Sequence, residues 1–124
     1  VALELALLSD VLSAAAAPGD ALAALLDYPI SSVEAGDRRG CYLCNAAVDM
    51  AQADDDVRAL VDQAFADAIA AVESVARSAG AAPEAGAHLF SVFLGLRVMA
   101  RSGAALPAMR AARDHALQGL SLKS

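Results

Sequence analysis

The chain has 124 residues, with 9 Lys plus Arg against 15 Asp plus Glu and a formal net charge of -6. That length allows one domain whose core buries roughly two-thirds of the unfolded surface. The acidic balance argues against nucleic-acid binding by these residues themselves, because such binding rests on cations that displace counterions from phosphates. Ala supplies 33 residues and Leu 17, beside 3 Phe, 2 Tyr and no Trp. Such a composition favours helix and lets helices approach closely over small side chains.

In chain order, helical periods run throughout and no stretch alternates apolar with polar residues as a strand would. A first helix is expected over about 2–16, with Leu3, Leu7, Leu8, Val11 and Leu12 on one face. Pro18-Gly19-Asp20 ends it and opens a short second helix through Leu22, Leu25 and Leu26, which Pro29 is expected to stop. "PISSVEAGDRR" then reads as a loop, and Gly40 turns the chain into a third helix over about 40–52. Asp54, Asp55 and Asp56 set carboxylates at the positive end of a fourth helix, which runs to about Ala79 and closes at Gly80. Its apolar stripe is Val57, Leu60, Val61, Ala64, Phe65, Ala68, Ile69, Val72 and Val75. Arg58 with Asp62, and Glu73 with Arg77, are four-residue charge pairs expected on its wet side.

The fifth helix, about 83–102, is apolar on two faces. Leu89, Val92, Phe93, Leu96 and Ala100 share one, and Phe90, Leu94 and Val98 share another, where Ser91 and Gly95 would permit close approach. A helix apolar nearly all round is buried on both sides. One side is therefore expected to meet the core and the other a second copy of the chain. Gly103 breaks the helix, Pro107 opens a sixth to about Gly119, and Leu106, Met109, Arg113, Ala116, Leu117 and Leu120 form its stripe. The expected dimer-interface residues are Phe90, Leu94, Gly95, Val98, Met109, Arg113 and Leu117. The longest near-apolar run, "LFSVFLGL" at 89–96, is far too short to cross a membrane. The fold expected is all-α, a single domain of about six helices over residues 1–124.

Cys41-Tyr42-Leu43-Cys44 is the one motif with chemical potential. A structural zinc site needs four ligands, and the spacing of Cys41, Cys44, His88 and His115 matches no finger, so neither a metal nor a cofactor is expected. Helical alkylhydroperoxidase-like enzymes use C-x-x-C at a helix start, with a nearby His to move the proton. Val48 stands where that His would be expected, so the chain is not expected to be an enzyme. Redox or electrophile sensing is a further alternative, and so is a plain helical interaction module that binds no ligand. The plainer reading is that free cysteines pack as small apolar side chains. Candidate ligand-pocket residues are Tyr42, Asn45, Phe65, Phe90 and Phe93: the large rings, and one polar side chain in an apolar helix that needs a hydrogen-bond partner. Arg97 and Arg101 are expected to pair with acids across an interface or to be solvated. His88 and His115 are expected at the surface or an interface.

Three segments in this order resemble the regulatory domain of TetR-family transcriptional repressors. "RRGCYLCNAA" at 38–47 is similar to the opening of that domain's central helix. "DDDVRALVDQAFADAIAAVESVARSAG" follows at the spacing of its next long helix. "FLGLRVMARSGA" at 93–104 resembles the hallmark of the one after. Gly40, Cys41, Asn45, Ala46, Val57, Phe65, Gly95, Leu96, Arg97, Arg101 and Gly103 carry the match, which spans about residues 18–120. The resemblance implies a cytoplasmic homodimer that binds an apolar small-molecule effector. The chain opens in mid-pattern at "VALELALLSDVL", so a helix-turn-helix domain is expected upstream of Val1. DNA would be contacted only through that domain, and no DNA-binding residue carries over onto this chain.

Overall fold

The computed structural model describes residues 2–37 and 55–120. They form five helices: α1 Ala2–Ala14, α2 Pro18–Glu34, α3 Asp55–Ser78, α4 Glu84–Ser102 and α5 Leu106–Gln118. No strand occurs among the described residues, and the fold is all-α. The helix expected over 40–52 lies outside the described residues.

α2 is the hub, packing on each of the other four helices. Its buried face is Ala21, Leu22, Leu25, Leu26, Pro29, Ile30 and Val33, spaced by threes and fours as one helical face requires. Pro29 does not stop this helix, contrary to the sequence reading; it lies inside it. A proline there loses one ladder hydrogen bond and strains the turn before it, a cost of about 3 kcal/mol. The ring is fully buried, and the helix beyond it places Ile30 at 1 % and Val33 at 7 % exposure in the core. Burying an aliphatic side chain contributes about 1.5–3 kcal/mol, so two such residues together are enough to offset the defect.

α3 packs most extensively against α4. Its core seam is Val61, Ala64, Ala68, Val72 and Ala76. The expected stripe is wrong at its start: Val57 is 42 % and Leu60 65 % exposed. Among the described residues, positions 55 to 60 are all exposed, and burial begins one turn later, at Val61. Glu73 also departs from expectation. It is half-buried, and a Cβ built on Gly86 would lie 2.7 Å from its Cα and 2.8 Å from its amide nitrogen. The α3 and α4 backbones therefore touch at Gly86, where only hydrogen fits.

α3 and α4 stop by the same device. Gly80 (φ 84°) and Gly103 (φ 82°) adopt the left-handed conformation that a side chain disfavours. The Ala81 amide then donates to Ala76 O at 2.9 Å, and the Ala104 amide to Met99 O at 3.0 Å. Each bond satisfies a last-turn carbonyl that the helix cannot. α5 returns across α2 and α4. It seats Met109 (0 % exposed) and Ala116 in the core and leaves Leu106, Ala112 and Leu117 half-covered against it.

Candidate functional site

Four large side chains from α3 and α4 form a row. Phe65 on α3 meets Phe90 on α4 edge-on, with centroids 6.0 Å apart. One turn further along α4, Phe93 lies tilted at 6.3 Å from Phe90. Contacts of this geometry add about 0.5–1.5 kcal/mol each beyond the area they bury. The next turn brings Arg97, whose guanidinium carbon lies 5.7 Å from the Phe93 centroid and 5.6 Å from that of Tyr28 on α2. Phe90, Phe93 and Arg97 are buried, while Phe65 and Tyr28 keep a partly exposed edge.

Arg97 is the only buried charged side chain among the described residues, at 8 % exposure. The expectation that it is solvated is therefore overturned. The reason is phase: it falls on the same face as Leu89, Phe93 and Ala100, all buried. Two ring faces compensate part of its desolvation, each worth about 2 kcal/mol when dry. Position in the stripe was the signal that pointed to Arg97. For Tyr28 the signal was its place one residue before Pro29, in a helix read as ending there.

Three of the expected pocket residues, Phe65, Phe90 and Phe93, are thus brought together. Tyr42 and Asn45 lie outside the described residues, as do Cys41 and Cys44. Among the described residues, no three His, Cys, Asp or Glu side chains cluster as a metal site would need. An open cleft of about 430 Å³ lies elsewhere, between the start of α2 (Ala17–Asp20) and the end of α3 (Arg77–Gly80). It shares no residue with the aromatic row.

The interface candidates divide. Phe90 and Met109 are core residues within the single chain. Gly95 is exposed, with nothing within 4 Å of a built Cβ, and Val98 is 52 % exposed, with Leu94 half-covered beside them. Ser91 on the same face turns its hydroxyl back to Ala87 O at 2.9 Å. His88 and His115 are both exposed. On α5, Arg113 is committed within the chain. Its Nε donates to Asp114 Oδ1 and its Nη1 to Asp27 Oδ1, both at 2.9 Å. The Asp114 hydrogen bond is the largest influence on its pKa; desolvation lowers the value in part, and with the Asp27 hydrogen bond added the net direction is upward from the ordinary arginine value. Arg110 pairs more loosely with Glu34 at 3.6 Å. Leu117 stays half-covered.

No family model, curated protein or solved structure matches this chain. The likeness to TetR regulatory domains rests on the three sequence segments alone. No helix among the described residues is long and apolar enough to cross a membrane.

Proposed function

We propose that the chain is the effector-binding and dimerisation domain of a TetR-like transcriptional repressor, with its bundle completed by a sixth helix over about 40–52. A small, mainly apolar molecule binds among the helices that carry the rings. Its binding favours one packing of those helices over another. The change resets the spacing of two helix-turn-helix domains upstream of Val1, so that they no longer fit one operator. DNA is reached only through those domains.

One observation carries this reading. α4 uses one side for the aromatic row and the core, and leaves Gly95 and Val98 exposed on the other, with Leu94 half-covered between the two. A helix that serves a binding core on one face and a partner on the other links occupancy to assembly. Light scattering of the chain tests the partner half, with a dimer as the expected result; a clean monomer at micromolar concentration would sink it. A thermal-shift screen tests the binding half, since a ligand raises the melting temperature as its concentration passes its Kd. Cys41 and Cys44 take no part in the mechanism. Replacing both by Ser should leave the effector response of the longer protein intact, and thiol-dependent peroxide reduction by the wild type would favour the enzymatic alternative.

A further inference from the structure

The hub helix has a break in its own hydrogen-bond ladder. Pro29 has no N–H to give to the Leu25 carbonyl, and its ring crowds the turn before it. Three residues on, the Ser32 hydroxyl donates back to Tyr28 O at 2.9 Å, a contact that bends and weakens a helix. Both features fall in one turn of α2, and ion pairs to α5 lie on either side of it. Before the proline, Asp27 accepts from Arg113 Nη1 at 2.9 Å; after it, Glu34 meets Arg110 Nη2 at 3.6 Å. We propose that α2 is hinged at Pro29 and that Arg110 latches the turn beyond the hinge to α5, so that ionic strength sets how often this turn opens.

The two sides of the proline are held unequally. Ala21, Leu22, Leu25 and Leu26 fix the helix before it, whereas Ile30 and Val33 are the buried residues beyond it. Arg113 joins α5 to the firm side through Asp27 and stays joined when the turn opens. Met109 and Ala116 seat α5 in the core as well. Arg110, one turn from Arg113 on the same helix, reaches across to Glu34, the last residue of α2. The Arg110–Glu34 contact is therefore the ion pair that opening breaks. It is about half exposed on both partners, and pairs of that kind are weak and screened by salt. The apolar contacts of the turn are not screened, so within this opening salt acts on the latch. Opening lifts Ile30 and Val33 from the core and uncovers the apolar interior they seal. The latch belongs to the single chain and needs neither a ligand nor a second copy.

Native-state hydrogen exchange of the whole chain, read amide by amide against urea, tests this. Amides from Ser31 to Ala35 should exchange by local opening, with little dependence on urea, and those from Leu22 to Leu26 by global unfolding, with a strong one. Arg110→Gln should speed the first group on the order of twofold. Arg113→Gln should leave that group unchanged, because its ion pair survives the opening. About 1 M sodium chloride should speed the group as Arg110→Gln does and add nothing in that variant. Pro29→Ala restores the missing donor and should slow the group. One urea dependence along the whole of α2, or wild-type exchange in Pro29→Ala, would overturn the hinge. Equal effects of the two arginine variants on Ser31 to Ala35, or no effect of salt, would overturn the latch. Should Pro29→Ala not fold, the urea dependence of the wild type still decides.

Discussion

Gly86 and Gly95 lie on one helix and should answer a methyl group in opposite senses. Gly86→Ala drives a Cβ into the Glu73 backbone, and overpacking of this kind costs about 1–3 kcal/mol. Gly95→Ala meets nothing within 4 Å and removes a helix-interior glycine, a gain of about 0.5–1 kcal/mol. Urea unfolding of both variants in dilute solution checks the pair, and equal effects would contradict the crossing described at Gly86. In the sequence the two glycines look alike, because what separates them is the helix that crosses above one and not the other. Arg97 was hard to read for a different reason. Its phase placed it inside and its charge placed it outside, and the rings packed around it, one of them from α2, favour the first.

α2 is where a local rule and the global pattern conflict. Pro29 argued for a stop, yet Leu22, Leu25, Leu26, Ile30 and Val33 keep one helical phase straight through it. Caps and breakers elsewhere were legible, since Pro18, Gly80, Gly103 and Pro107 each act within one turn of themselves. The fate of Pro29 depends on what the next turn buries, which no local signal carries. Ile30→Ala should therefore cost about 2–5 kcal/mol by chemical denaturation, as for a core truncation. Leu60→Ala, at a position 65 % exposed, should stay within about 0.5 kcal/mol of the wild type. A cheap Ile30→Ala would restore the loop reading of residues 29–34. The α2–α5 contact can be tested through Arg113 and Asp27. Their double-mutant cycle should give about 0.2–1 kcal/mol, because Asp27 is half exposed. The coupling should shrink in about 1 M salt, where screening acts within about 3 Å. The arginine's raised pKa means its contribution is fully present below the ordinary arginine range and is lost only as pH climbs through the higher folded value. Moderately alkaline buffers should thus leave the coupling unchanged.

At the scale of the whole molecule, the proposed dimer makes the outward face of α4 a place where folding and assembly can be separated by experiment. Val98→Asp places a charge where the single chain leaves the side chain 52 % exposed. The helical circular dichroism should be retained while the light-scattering mass falls to that of a monomer. A wild-type monomer, or an unfolded variant, would contradict that separation. The core itself has a thermal consequence. Seven of the twenty buried apolar side chains among the described residues are alanine: 21, 64, 68, 76, 81, 100 and 116. Alanine brings backbones together but hides little hydrocarbon, so unfolding exposes less apolar surface per residue than in a core of Leu and Ile. Heat capacity follows that surface. Scanning calorimetry should therefore find an increment per residue below the usual figure of about 12–15 cal/mol/K. A smaller increment flattens the curve of stability against temperature, so this protein should lose little of its stability on cooling and resist cold denaturation better than a domain of equal size with a bulkier core.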